Sequence, residues 1–427
     1  MSIALLFGLF ALLLIVGAPI AIALGASTFL TLVLMTPTSP IEVSSMIFEK
    51  IDSYSLMAIP MFILAGNLLS KGSAAERIIE FAKSIVGHLP GGLPMAAIFA
   101  SIIFAAVSGS SPATVVAIGS IMFGAIERAG YPKNYAIGTV ATAGSLGILI
   151  PPSIVMIVYG VTAEQSIGKL FMAGVVPGIL IGTMMMGITW IGARRLGFRR
   201  SEPEPLRVRL QKMREAAWAL MTIVIVIGGI YGGIFTPTEA AAVAAVWAFV
   251  VSMFVYRDIR WRDVYGVFLE SAKTSAMIMF IIANAMLFAH FLTLENVPQM
   301  ITQALMDAHV GRLMFLFLVN VLLFFAGDFM EPSAIIMIMV PLLLPVATAL
   351  GVDPIHFGII VTINMELGMI TPPIGLNLFV TSGITGVGLK DVILYALPWS
   401  MTILVGLLMV TYIPQIALWL PRLMYGQ

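Results

Sequence analysis

Apolar and polar positions in this chain alternate on the scale of whole helices rather than of single helix faces. Apolar runs occupy about 3–17, 20–35, 54–70, 134–160 and 170–193, and comparable runs follow in the second half. "IALLFGLFALLLIVGAPIAIALGASTFLTLVLM" and "WSMTILVGLLMVTYIPQIALWL" meet the requirement of about 20 apolar residues for a membrane crossing. Pro19 is read as a tight turn between two short helices, and Pro237 as its counterpart. One apolar region contains an interruption, "AVSGSSPATVVAIG" at 105–118, where hydroxyls, glycine and proline replace hydrocarbon. Unpaired backbone in lipid costs on the order of several kcal/mol per group, so such a break is either a loop outside the bilayer or irregular backbone shielded by protein.

The only long polar segment is central. "RRLGFRRSEPEPLRVRLQKMR", residues 194–214, reads as a solvated basic connector and, by the positive-inside rule, as cytoplasmic. On either side the pattern repeats. "LGILIPP" (146–152) returns as "LGMITPP" (367–373), Lys169 as Lys390 and Pro177 as Pro398, while Pro112 answers Pro332, Asn67 answers Asn284 and Pro19 answers Pro237. Matches in such close register indicate duplication, with halves at 1–193 and 215–427.

Charge decides the relative orientation of the halves. Five crossings per half with a cytoplasmic connector leave only Lys50, Lys169, Arg312 and Arg422 of the 22 basic residues outside, which favours an inverted repeat with both termini outside. In that topology the "SGSSP" segment is the tip of a re-entrant hairpin over about 90–128. Its partner tip lies in "FFAGDFMEPSA", within a hairpin over about 310–349. Each hairpin precedes a helix broken at its Pro–Pro pair, over about 134–160 and 355–385, because proline removes an amide and bars helix from the residue before it. The fold class is therefore all-α integral membrane, built from two inverted repeats.

Composition agrees: 60% of residues are hydrophobic and 10% charged, and mean hydropathy is +1.06, far from a soluble domain. The N-terminus shows no basic segment of a cleaved signal, and its apolar run continues. The absence of cysteine excludes thiolate and iron–sulfur chemistry. The four histidines, His88, His290, His309 and His356, have no metal-binding spacing. "AGD" at 326–328 lacks the partner motif of an intramembrane aspartyl protease, so no enzyme is expected. Nothing suggests nucleic acid. Inverted repeats whose broken helices meet at the midplane point instead to a secondary transporter. Freed carbonyls and hydroxyls suit a hard monovalent cation, and the helix starts after Pro112 and Pro332 suit an anion.

Five stretches carry a family resemblance: "FTPTEAAAVAAV" (235–246), "SGSSPATVVAIGS", "LGILIPPS", "LGMITPPIGLNLFV" and the "GYPKNYA" turn at 130–136. Together they resemble the large membrane subunit of the tripartite ATP-independent periplasmic (TRAP) transporters, the DctM-like family, along essentially the whole chain. The resemblance implies an elevator-type, sodium-coupled importer in the bacterial inner membrane, with Na+ as coupling ion, no other cofactor, and periplasmic termini. It implies a small four-helix membrane subunit and a periplasmic substrate-binding protein as partners. The cargo would be a small carboxylate, commonly a C4-dicarboxylate, with sialic acid and other organic acids as alternatives; a passive channel or scaffold is the reading outside that class.

By the same resemblance, Ser108, Ser110, Gly147, Ile150 and Pro152 form a first sodium site, and Gly327, Gly368, Thr371 and Ile374 a second. The second departs from the first, because Asp328 and Met330 stand in the places of Ser108 and Ser110. Candidates for the substrate cavity are Ser111, Ser153, Glu331, Asn377 and Thr381. Glu331 has helix capping as its rival role, and Glu366 is read as pairing with a backbone donor. Asn67 and Asn284 are read as braces of the breaks.

Overall fold

The computed structural model describes residues 2–198 and 202–426. Arg199 and Arg200 of the basic connector lie outside the described residues, as do Gln427 and the side chain of Lys50. The described chain is helical and turn structure throughout, without a strand, and seven of its helices are long and apolar enough to cross a membrane.

The first half opens with α1 (Ser2–Ile15) and α2 (Ile20–Met35), separated by Gly17 at φ +87° and Pro19. Then come α3 (Pro40–Ile51), α4 (Ala58–Lys71) and α5 (Ala74–Val86). The expected hairpin is α6 (Gly92–Ser108) and α7 (Ser111–Arg128). The expected broken helix is α8 (Lys133–Ala143), a 3-10 turn at Gly144–Ile148, and α9 (Ile154–Thr162). The long α10 (Ile167–Arg195) closes the half.

The second half follows the same order. α11 (Leu206–Ile223) passes through a π-bulge into one last turn, α12 (Gly229–Tyr231), and is followed by α13 (Pro237–Val250). The 34-residue α14 (Trp261–Leu294) occupies the place of α3 and α4 together. Next come α15 (Val297–Asp307), the hairpin α16 (Arg312–Gly327) and α17 (Pro332–Ala349), and the broken pair α18 (Pro354–Gly368) and α19 (Leu376–Thr385). The chain ends with α20 (Leu389–Tyr412) and α21 (Gln415–Tyr425).

Four of these helices escape a search for apolar runs: α3, α5, α15 and α21 are short and amphipathic. In α5 the buried Ala75, Ile78, Ile79 and Ala82 recur at helical spacing, while Glu76, Arg77, Glu80 and Lys83 occupy the other face. The central connector also differs from a plain solvated linker. Its last part, with Arg207, Arg209, Lys212 and Arg214, is already helical as the start of α11. Lys212 Nζ bonds Glu204 Oε1 at 2.8 Å and reaches Glu80 Oε2 at 3.3 Å, tying the connector to α5.

Several sequence motifs prove to be helix starts. In "FTPTEAAAV" Thr236 accepts the amide of Glu239, whose carboxylate accepts the amide of Thr236, and Pro237 takes the first helical position. In "GYPKNYA" Gly130 turns the chain at φ +87° and Pro132 leads into α8. Packing sorts the helices into two groups. α1–α4, α13 and α14 pack mainly on one another; α6–α10 and α16–α21 form the other cluster, and α14 against α17 and α4 against α6 join them.

Candidate functional site

Each hairpin tip meets the break of its own half through main chain. In the first half the chain turns at Gly109 (φ +61°), whose carbonyl accepts the Ile154 amide at 3.5 Å. A Cβ on Gly109 would stand 2.8 Å from the Pro152 carbonyl oxygen, and one on Gly147 would stand 2.7 Å from that of Ser110. Glycine at these two positions is what lets tip and break touch. In the second half the Asp328 carbonyl accepts the Ile374 amide at 3.2 Å, and a Cβ on Gly368 would lie 2.7 Å from the main chain of Gly327. The two Pro–Pro bonds, 151–152 and 372–373, are both cis.

The first tip gathers oxygens. Ser108 Oγ and Thr114 Oγ1 are 2.9 Å apart, and Thr114 Oγ1 donates to the Ser110 carbonyl at 2.8 Å. Ser108 Oγ also reaches the Ser110 carbonyl, at 3.3 Å, so either hydroxyl can donate to the other. Ser108 and Thr114 are buried, as is the whole break from Leu149 to Ser153. Of the expected first-site residues, Ser110, Gly147 and Pro152 lie on the tip-to-break contact, Ser108 borders it, and Ile150 is buried within the break. Thr114 was not singled out in the sequence; its position one helical turn beyond Ser110 is the signal that marks it.

The second tip uses few side chains. Gly327 and Gly368 are in contact, and Thr371 donates its amide to the Gly368 carbonyl at 3.3 Å and its hydroxyl to that of Leu367 at 2.7 Å. Asp328 is buried, and its Oδ1 has no partner among the described residues. This break is open: Pro372, Pro373 and Ile374 are exposed, Ile374 at 47%.

One bond joins the halves at the candidate substrate residues. Asn377 Nδ2 donates to Ser111 Oγ at 2.6 Å, where α19 packs on α7. Both residues are fully buried, as is Thr381 one turn along α19. Asn377 Oδ1 and Thr381 Oγ1 have no partner among the described residues, so unsatisfied polar atoms cluster beside the bond between the halves. The other two candidates have structural bonds. Ser153 Oγ donates to the Ile148 carbonyl at 2.5 Å and accepts the Met156 amide, which caps α9. Glu331 caps α17, accepting the amides of Ser333 and Ala334 and the Ser333 hydroxyl at 2.9–3.2 Å. Glu366 meets the Ser145 hydroxyl at 3.1 Å rather than a backbone donor. Asn67 donates to Ser271 Oγ on α14 at 2.8 Å, and its neighbour Gly66 lies against the Ser108 main chain, beside the first tip.

Comparison with known proteins agrees with this architecture. Residues 7–416 match the family described as "Tripartite ATP-independent periplasmic transporter, DctM component". The chain is 49% identical to the C4-dicarboxylate TRAP transporter large permease protein DctM of Rhodobacter capsulatus, over 99% of this chain and 100% of that one. It is 44% identical to the isethionate TRAP transporter permease protein DctMQ of Oleidesulfovibrio alaskensis, over 96% of this chain and 65% of that longer one. The crystal structure of the YdaH transporter of Alcanivorax borkumensis shares the fold, with a TM-score of 0.65 at 15% identity over 100% of this chain and 98% of that one. The chain thus belongs to the tripartite ATP-independent periplasmic transporter family as a DctM component, a multi-pass transporter permease.

Proposed function

We propose that this chain is the large membrane subunit of a sodium-coupled importer of C4-dicarboxylates, working by an elevator motion in the bacterial inner membrane. The observation that carries the reading is the paired tip-to-break contact. Both halves bring a hairpin tip and broken backbone together, main chain to main chain, and the Ser111–Asn377 bond links the tip of one half to the broken helix of the other. Carbonyls and hydroxyls packed this way suit sodium. Ser108, Ser110, Gly147, Ile150 and Pro152 form the first site in this scheme, and Gly327, Gly368, Thr371 and Ile374 the second. A dicarboxylate binds between them at Ser111, Asn377 and Thr381, held by neutral donors and helix starts.

The inverted repeat supplies two exchangeable arrangements of similar energy, which alternating access requires. Hairpins and broken helices move together, and α1–α4 with α13 and α14 remain as scaffold. One break buried and the other open supports access from one side at a time. The family and the C4-dicarboxylate relative support the cargo. The longer isethionate relative, whose name joins M and Q, supports a small membrane subunit as partner, with a periplasmic binding protein delivering substrate.

The test is uptake of labelled succinate, malate or fumarate by proteoliposomes carrying this chain with its small subunit and binding protein. Uptake is expected to require an inward sodium gradient. Equal uptake after the gradient is collapsed would point to a passive pore. Reporters at Pro203 and at the C-terminus are expected on opposite sides of the membrane, and a shared side would overturn the inverted topology.

A further inference from the structure

Lys169 and Lys390 recur in the two halves, each in the first turn of a long helix, α10 or α20. With 29 residues, α10 is roughly 44 Å long at 1.5 Å per residue and overruns a hydrocarbon core of about 30 Å. Its neighbour α20 runs antiparallel to it. Trp399 Nε1 donates to Thr189 Oγ1 at 2.8 Å, and a Cβ on Gly406 would meet Ile181. The start of α10 and the end of α20 therefore reach the same membrane boundary, where α21 follows and packs against α10. Tyr412, Trp419, Leu423 and Met424 are exposed there, the pattern of a short amphipathic helix at headgroup level.

At this boundary a cavity of about 390 Å³ opens between the first turn of α10, the start of α18 and α21. Lys169, Arg422 and Tyr425 line it, together with Gln165 and Asp353. The Tyr425 ring lies over α10. Lys169 Nζ is 5.4 Å from its centroid, and its hydroxyl is 3.3 Å from where a Cβ on Gly168 would stand. Arg422 makes no ion pair among the described residues. Asp353, the one acid in the wall, caps α18, its Oδ1 accepting the amides of Ile355 and His356 at 2.8 and 3.2 Å. Two cations against one acid leave the cavity with a net positive charge. This charge is not a by-product of the repeat. The corresponding cavity between the starts of α8 and α20, about 220 Å³, has Tyr135, Tyr395 and Trp399 in its wall and no charged residue, Lys390 included.

A guanidinium and an ammonium around one cavity recognise the oxygens of a phosphate or carboxylate. The acid in the wall favours a singly charged anion over inorganic phosphate or a dicarboxylate, which carry more than one charge at neutral pH. The setting favours a lipid as its source, because the cavity opens beside exposed apolar side chains of α21 that acyl chains would cover. We propose that this cavity binds the phosphodiester headgroup of an anionic phospholipid, phosphatidylglycerol, with Arg422 and Lys169 on the phosphate oxygens. The bound lipid holds α21 onto the starts of α10 and α18. Its place in the outer leaflet rests on the inverted topology proposed above; the cavity and its charge do not.

The test titrates the full chain in detergent micelles with dioctanoyl phosphatidylglycerol, dioctanoyl phosphatidylcholine or inorganic phosphate and follows the melting temperature. Phosphatidylglycerol alone is expected to raise it, and saturably, since a ligand of the native state stabilises by mass action. Arg422→Gln, at an exposed side chain, is expected to need about tenfold more lipid for the same rise, the scale of one charge-assisted hydrogen bond. Adding Lys169→Gln is expected to abolish the rise; should that double variant fail to fold, the single one decides. In nanodiscs of the wild-type chain, a diazirine-bearing phosphatidylglycerol is expected to label peptides spanning 165–169 and 418–425, and excess unlabelled lipid to suppress the labelling. An equal rise with phosphatidylcholine, or a rise that Arg422→Gln keeps in full, overturns the proposal in favour of general solvation by lipid. An equal rise with inorganic phosphate overturns the lipid as source. A periplasmic binding protein that binds wild type but not Arg422→Gln, with no lipid effect in either, overturns it in favour of a protein-docking surface. A C-terminal reporter on the cytoplasmic side would refute the topology and move the cavity to the inner leaflet, leaving the lipid result to stand or fall by itself.

Discussion

The first hairpin tip and the second make the same main-chain contact amid different side chains. At the first, Ser108, Ser110 and Thr114 place hydroxyls and carbonyls together beneath a buried break. At the second, Gly327, Asp328 and Gly368 meet through backbone, and the break above them is open. The difference teaches that glycine placement and the Pro–Pro break carry the architecture, while hydroxyls tune one copy of it. The two tips therefore differ in chemistry, because the first gathers hydroxyls where the second has the buried Asp328 carboxylate.

The largest effects are expected where the two tips are alike. Gly147→Ala and Gly368→Ala each place a Cβ 2.7 Å from main-chain atoms of the facing tip, where no flexible side chain can give way. Overpacking of this kind costs about 1–3 kcal/mol or more, so sodium-driven uptake should fall at least tenfold in both, with membrane levels checked by immunoblot. A harmless Gly368→Ala beside a crippling Gly147→Ala would break the equivalence of the halves.

Next come the substitutions that separate the tips. Replacing Ser108 and Ser110 together with alanine removes two of the three hydroxyls of the first tip and leaves that of Thr114. Each good ligand is worth of order 1–3 kcal/mol, so the sodium concentration for half-maximal uptake should rise by roughly one to two decades. Asp328→Asn leaves the main-chain carbonyl in place and should change it by less than about threefold. The reverse ranking would place the stronger ion site in the second half.

A smaller effect is expected at the bond between the halves. Asn377→Ala deletes the donor to Ser111 Oγ and should raise the KM for dicarboxylate roughly fivefold, at about 1 kcal/mol for one hydrogen bond, with the sodium requirement unchanged. A change in the sodium requirement alone would move Asn377 from substrate to ion binding.

The smallest effect should lie away from both tips, where α5 meets the connector and the polar start of α11. Partial burial raises the carboxyl pKa of Glu80, but Lys83 and Lys212 outweigh it and hold the value below normal. A depressed carboxyl contributes stability above its unfolded pKa and loses it as pH falls through the folded one. Since these side chains are partly exposed, Glu80→Gln should cost under about 1 kcal/mol in thermal unfolding at pH 7, less in high salt and nothing in strong acid. A cost that persists in acid would mean the glutamate acts through packing instead.

Much of this architecture was legible along the chain. Apolar runs are set by the length of a bilayer crossing, and glycine and proline interrupt helices wherever they fall, so the crossings, both hairpins and both breaks stand out locally. The motif "TPTE" likewise caps a helix by bonds within four residues. The amphipathic α3, α5, α15 and α21 were hidden because half of each helix is polar, and burial of the other half shows only once a neighbour is in place. Side-chain roles at the tips were legible only in part. Ser153 and Glu331 sit where a substrate residue would sit, yet helix amides claim them, and that competition depends on atomic distances. The contacts Ser111–Asn377 and Ser145–Glu366 span 266 and 221 residues, so no local pattern foretells them. Local chemistry determined where the chain must break; only the packing of one half against the other decided which polar groups those breaks bring together, because hydrogen bonds are short and the chain between their partners is long.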